Sequence, residues 1–297
     1  MVVVFGSINI DLVARVERIP VPGETLAGQS FRCVPGGKGA NQALAAIRAG
    51  AQVKMFGAVG RDAFASLALS NLEDSGMDLA GVVVVDAATG VALIHVDAHG
   101  ENAITVIAGA NALASAAQVP DAALVTGTTL LLQLEVPVSQ IAQLCRRAHD
   151  ARIILNAAPA IAIPEELLQR VDVLIVNETE AAAVGAAHAL PDTPEGFALA
   201  AATRYDCTVV VTLGAQGAFA IAGSDRVAVA APRVQVVDTT GAGDAFAGAF
   251  AAALDRGTSL RGAMADGVAA GSLACTGHGA QGALPGTTAI AALAATL

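Results

Sequence analysis

From Leu130 to Gly217 the chain alternates between short apolar runs and helical stretches. Leu130–Leu134 ends on Glu135 and is followed by a helical pattern over Ser139–Asp150. Ile153–Leu155 ends on Asn156, and Val173–Val176 ends on Asn177-Glu178-Thr179-Glu180 and a short helix. A helix over Thr193–Tyr205 leads to a strand at Thr208–Thr212, closed by Leu213-Gly214-Ala215-Gln216-Gly217. Strands buried on both faces by crossover helices are apolar throughout rather than alternating. The pattern predicts an α/β fold with a doubly wound, mostly parallel sheet flanked by helices.

The first half fits the same sheet less evenly. Val2–Ile8 reads as a buried strand running into Asn9 and Asp11, and Val53–Ala58 with Ala63–Ser75 as a strand and helix. Residues about 12–35 and 82–107 instead carry short, half-exposed strand patterns broken by Pro20, Pro22 and Gly23, with no helix between them. They predict a small β-sheet lid inserted in one α/β domain spanning residues 1–297. Ligands of open α/β sheets bind beyond the carboxyl ends of the strands. Asn9, Asp11, Glu135, Asn156, Asn177 and Glu180 recur at that edge.

Asp238-Thr239-Thr240-Gly241-Ala242-Gly243-Asp244 joins an extended apolar run (Val234, Val236, Val237) to a helical pattern reaching Leu254. Small residues at a helix start let a ligand approach the free N–H groups of the first turn, which form an anion site. A carboxylate does not belong on a bound anion, so Asp244 reads as a base. It would take the proton of a hydroxyl that attacks a phosphoryl group held by the amides of Gly241, Ala242 and Gly243. The alternative is that Asp244 merely caps the helix.

Composition narrows the partners. The 297 residues are 55% hydrophobic but only 3% aromatic, so the core must be aliphatic. A net charge of −10 gives no general attraction for nucleic acid or anionic membrane. Any phosphate must be held by local devices. Cys33, Cys145, Cys207 and Cys275 are scattered, and neither they nor the five histidines form a metal motif. Met1–Gly6 lacks the basic start of a signal peptide, so a cytoplasmic location is expected. Gly36-Gly37-Lys38-Gly39-Ala40-Asn41 opens another helix but is not a P-loop; on its own it reads as a turn with a solvated lysine.

The two glycine-bearing motifs, Gly36–Ala43 and Asp238–Phe250, occur together in this order, with Asn177-Glu178-Thr179-Glu180 between them. In this the chain resembles the PfkB family of ribokinase-like carbohydrate kinases over nearly its whole length. Gly6–Asp11, Pro22–Thr25, Gly90–Ile94, Gly109–Asn111, Gln133–Glu135 and Asn156–Ala160 are similar to the pattern of its ribose-phosphorylating members. The resemblance implies ATP-dependent phosphorylation of D-ribose, with Asp244 as base. It implies a sugar site of Asn9, Asp11, Gly37, Lys38, Asn41, Glu135 and Asp244. It implies a nucleotide site of Asn177, Thr212, Gly214, Ala215, Gln216, Gly217, Gly243 and Val268, the last where relatives often place a polar residue. It implies Mg²⁺ positioned through water by Glu180. It also implies a monovalent cation, potassium, held by Asp238, Thr240, Ala274, Gly277 and Gly279, and a homodimer formed through the lid strands. Three rivals stand against this. One is a family kinase for another sugar or a nucleoside, which the shortage of aromatic residues disfavours. Another is a non-catalytic sugar sensor. The third is a dinucleotide-dependent oxidoreductase, which lacks its Gly-x-Gly-x-x-Gly.

Overall fold

The computed structural model describes residues 1–297. Its centre is a nine-stranded sheet. Strands β1 (Val2–Phe5), β4 (Val53–Gly60), β5 (Asp78–Val85), β8 (Thr129–Leu132), β9 (Arg152–Asn156), β10 (Val173–Asn177) and β11 (Thr208–Thr212) run parallel. An antiparallel hairpin, β12 (Ala218–Ala222) and β13 (Asp225–Val229), finishes one edge. The spatial order is β13-β12-β11-β10-β9-β8-β1-β4-β5. The order runs outward in both directions from β1 and β8, which leaves a crevice at their carboxyl ends.

Helices cover both faces, and each face has its own core. Helices α1 (Lys38–Arg48), α7 (Ala242–Asp255) and α8 (Leu260–Ala274) bury Leu44, Phe246, Phe250 and Met264 with Val4 and Met55 of the sheet. Helices α3 (Val138–Arg147) and α6 (Pro194–Tyr205) bury Ile141, Leu144 and Phe197 with Phe5, Leu130 and Leu155. Adjacent residues of one strand therefore serve opposite cores, which is why these strands show no polar alternation. Each fully buried large side chain contributes about 1.5–3 kcal/mol. The four cysteines are all free thiols.

A second, four-stranded sheet stands over the crevice in the order β3-β2-β6-β7. Its strands are β2 (Asn9–Arg15), β3 (Ser30–Gly36), β6 (Gly90–Val96) and β7 (Asn102–Ile107). This differs from the sequence-based expectation in three ways. The stretch Val82–Val85 belongs to β5, which pairs with β4 in the main sheet, so the small sheet's second half begins at Gly90. Asn9 and Asp11 sit on the first residues of β2 rather than beyond the end of one long strand; the chain turns at Gly6–Ile8 between the sheets. Val234–Val237 forms no strand, because the main sheet already ends at β13, and Val236 and Val237 stay 60% and 46% exposed.

Candidate active site

Helix α1 starts at Lys38, within the glycine-bearing motif itself. The glycines before and within its first turn fit tightly rather than loosely. Gly37 has φ +90°, and a Cβ there would lie 2.7 Å from the Asn9 nitrogen. A Cβ on Gly39 would lie 2.5 Å from the backbone at Gly6 and Ser7. This close approach brings the free amides of α1 against the β1–β2 turn. Lys38 N–H donates to Glu135 Oε2 at 3.1 Å, and the same oxygen accepts from Ser7 Oγ at 2.6 Å. Glu135 thus sits at the positive end of α1. Asn9 Oδ1 accepts from Asn111 Nδ2 at 2.7 Å.

The reading of Lys38 as a solvated turn residue does not hold. Burial works against its ammonium, but Asp244, Glu135, Glu180 and Asp11 around it outweigh that and hold its pKa above the usual value. Asp11 is pushed up to about 7, first by burial and then by the charges of Glu135 and Asp244, with Lys38 opposing. Four carboxylates around one lysine form a site short of positive charge and rich in acceptors, suited to a neutral polyhydroxy ligand.

Helix α7 packs against α1 through small residues. A Cβ on Gly248 would lie 2.5 Å from Ala45 Cβ and from the Gln42 carbonyl oxygen, so only glycine permits this crossing. The contact carries Asp244 into the cluster. Asp244 is buried in the first turn of α7, yet it does not cap the helix: Gly241 is the N-cap, with φ +79° and no side-chain bond. Its carboxylate instead accepts from Asn41 Nδ2 and Gln42 Nε2, both at 2.9 Å. The capping alternative is excluded by these bonds.

Two cavities meet at the loop before α7, where Val236 and Thr239 line both. One, of about 430 Å³, lies under the small sheet and is lined by Asp11, Val13, Val34, Ile94, Asp238 and Thr240 among others. Of the sugar-site residues only Asp11 reaches its wall; Asn41, Glu135 and Asp244 are linked to it through the cluster. The other, of about 550 Å³, is lined by Thr212, Gly214, Ala215, Gly217, Ala242, Gly243, Phe246 and Val268. Asn177 and Gln216, expected there, are not in its wall. Gly243 lies in this wall and in the first turn of α7, where N–H groups have no partner within the helix, and a Cβ there would meet nothing within 4 Å.

Asn177 and Glu180 are tied together instead. Asn177 Oδ1 accepts from Glu180 N–H and Glu180 Oε2 from Asn177 N–H, both at 2.8 Å, capping helix α5 (Glu178–His188). Burial raises the Glu180 pKa, with the Asn177 N–H and Lys38 opposing. One Glu180 oxygen is left without a protein partner. No group of three His, Cys, Asp or Glu side chains could hold a metal alone. Asp238 bridges two loops: its oxygens accept from Thr240 N–H and Gly279 N–H, each at 2.9 Å. Burial raises the Asp238 pKa, but these bonds and His278 outweigh it and keep the carboxylate ionised. Of the sequence-predicted cation residues, Asp238, Thr240 and Gly279 are brought together by these bonds and line the cavity under the small sheet, whereas Ala274 and Gly277 are not in its wall.

Sequence reasoning missed Ser7, Asn111, Gln133, Gln42 and Gln281, all held in these networks. Gln42 carried a signal: it is four residues after Lys38, on the same face, just before the apolar run Ala43–Ile47. Gln133 lies two residues before Glu135. Gln281 had none, since its partners are distant in sequence.

The family model described as "pfkB family carbohydrate kinase" matches residues 1–286. A ribokinase of Bacillus subtilis is 39% identical over 292 residues, covering 95% of both chains. The crystal structure of ribokinase from Thermotoga maritima superposes with a TM-score of 0.91 at 33% identity, covering 98% of each chain. Arabidopsis thaliana ribokinase, complexed with ribose and ATP, superposes with a TM-score of 0.86 at 31% identity, covering 99% of this chain and 98% of that one. With the site geometry above, these likenesses establish that the chain belongs to the pfkB family of carbohydrate kinases, phosphotransferases with a hydroxyl acceptor.

Proposed function

We propose that this chain transfers the terminal phosphoryl group of ATP to the primary hydroxyl of D-ribose, giving D-ribose 5-phosphate and ADP. The observation that carries the reading is the buried Asp244 carboxylate, one residue from the first-turn amide of Gly243 and within the polar cluster that includes Asp11. Asn9, Asp11, Gly37, Lys38, Asn41 and Glu135 hold the sugar by paired donors and acceptors, the physical means of choosing one hydroxyl among several. Asp244 takes the proton of that hydroxyl. The amides of Gly241 and Gly243 stabilise the charge on the migrating phosphoryl group; the Ala242 N–H, expected with them, donates to the Thr239 carbonyl at 3.2 Å instead. Thr212, Gly214, Ala215, Gly217 and Val268 receive the nucleotide. Asn177 and Gln216 act from outside that wall.

Magnesium, when bound with the nucleotide, neutralises phosphate charge, and Glu180 holds it through water. Asp238, Thr240, Ala274, Gly277 and Gly279 hold a monovalent cation, potassium, that orders the loop before α7. The small sheet shields the sugar from water. Its outer face exposes Phe31, Leu93 and Ile107 at 62%, 37% and 50%, and these support a homodimer formed through the lid strands. Light scattering should give a dimer that Phe31→Glu loosens; a monomeric native protein would remove that part of the reading. No helix is long and apolar enough to cross a membrane.

Asp244→Asn tests the central assignment. Turnover should fall about 10²–10⁴-fold while the fold and sugar binding persist. Near-normal turnover in that variant refutes Asp244 as the base. ADP release across D-ribose, 2-deoxy-D-ribose, hexoses and nucleosides tests the acceptor.

A further inference from the structure

The two oxygens of Asp244 are each the end of a chain of side-chain amides. One chain comes from the C-terminal loop: Asn71 Nδ2 donates to Gln281 Oε1 at 2.9 Å, Gln281 Nε2 to Asn41 Oδ1 at 3.0 Å, and Asn41 Nδ2 to Asp244 Oδ2 at 2.9 Å. The other comes from the sheet: Gln133 Nε2 donates to Gln42 Oε1 at 2.8 Å, and Gln42 Nε2 to Asp244 Oδ1 at 2.9 Å. Gln42 Nε2 also donates to Asn156 Oδ1 at 2.9 Å, so both its hydrogens are committed. Gln42, Gln133 and Gln281 are all buried.

An amide has a donor end and an acceptor end, and an ionised carboxylate only accepts. Each link therefore sets the direction of the next. Gln281 gives its N–H to the Asn41 oxygen, which turns the Asn41 nitrogen toward Asp244. Gln133 does the same for Gln42. The direction has a cost: Gln133 Oε1 is buried without a partner. The loop end is itself pinned, because Arg48 Nη1 of α1 donates to the carbonyls of Gln281 and Leu284 at 3.1 and 2.7 Å.

We propose that Gln42 and Gln281 are positioning residues for the base, fixing by amide direction the orientation in which Asp244 meets the sugar hydroxyl. The inference rests on the reading of Asp244 as base. A donor on each oxygen stops the carboxylate from rotating about its terminal bond and leaves a defined lone pair for the incoming proton. It also links the base to the loop that carries Gly277 and Gly279, so disorder of that loop reaches Asp244 through one side chain.

Steady-state kinetics of Gln42→Met, Gln281→Leu and Gln281→Glu, alone and combined with Asp244→Asn, test the proposal. Gln42→Met should lower kcat about 10²-fold and Gln281→Leu about tenfold, with the sugar KM changing less than about threefold. Gln281→Glu should be worse than Gln281→Leu, because a carboxylate there accepts from Asn41 and turns its oxygen toward Asp244. In the Asp244→Asn background none should lower kcat further, since no base remains to be oriented. Unchanged kcat in the single variants overturns the proposal, as does an equal loss in the Asp244→Asn background, which would mark a structural role. If thermal melting shows Gln42→Met to be unfolded, Gln281→Leu decides alone. Full turnover in Asp244→Asn itself would instead remove the base assignment, and this inference with it.

Discussion

The polar atoms gathered where α1 meets β2 and those lining the cavity in front of α7 and α8 belong to different parts of the chain. In the first region they are side chains: Asn9, Asp11, Asn41, Glu135 and Asp244, gathered around Lys38 and fixed by further amides. In the second no side-chain amide or carboxylate lines the wall. Its polar side chains are Thr212, Arg233, Thr239, Ser272 and Cys275 among glycines and aliphatic residues. A polyol can be told from its isomers only by matched donors and acceptors, whereas a triphosphate can be gripped by backbone N–H groups that every residue possesses. The first region should therefore respond sharply to single substitutions and to pH, and the second weakly.

After the base itself, the largest expected effect is at Lys38. Lys38→Met leaves Asp11, Glu135, Asp244 and Glu180 facing one another without the cation that offsets them. Removing one member of a desolvated charge cluster costs about 2–5 kcal/mol. The kcat/KM for sugar should fall about 10²–10³-fold, while the KM for ATP, measured at saturating sugar, stays within about threefold. Equal losses on both substrates would dissolve the distinction between the two regions.

A smaller effect comes from Asp11. With its pKa at about 7 against an ordinary 3.8, the folded chain holds a proton that the unfolded chain has already lost in that window. Stability should therefore decline as pH rises from about 4 to 7. Sugar binding has the opposite sign, because a hydroxyl donates more strongly to the ionised carboxylate. Between pH 8 and pH 6 the sugar KM should rise roughly tenfold, and Asp11→Asn should flatten the profile. A sugar KM that is flat in the native protein would remove Asp11 from the binding step.

The same contrast governs what could be read from the sequence. The parallel sheet was legible because burial on both faces leaves uninterrupted apolar runs, and the helix starts because glycine and small residues cluster there. Lid strands β2, β6 and β7 were legible in outline, but Val82–Val85 resembles them in composition and still joins β4, because strand pairing is decided by partners far along the chain. Val234–Val237 has strand composition and no partner to pair with. The chemistry-bearing carboxylates stood out as polar residues at strand exits. The amides that orient them did not, since Gln281 acquires its meaning only from Asn41 and Asn71, more than 200 residues away.

The smallest effect expected is on nucleotide choice. The cavity wall near Val268 carries Phe246, Pro232, Val234 and Gly271, with Ser272 the nearest hydroxyl in sequence. Telling the 6-amino group of adenine from the 6-oxo group of guanine by side chains requires a placed amide or carboxylate, and this wall has none. ATP and GTP should therefore differ by less than about fivefold in kcat/KM, measured by release of the diphosphate at saturating sugar. Val268→Asn places a side-chain amide at that wall and should widen the difference. Discrimination of a hundredfold in the native protein would mean that backbone groups read the base, and the nucleotide region would then be as selective as the sugar region, by other means.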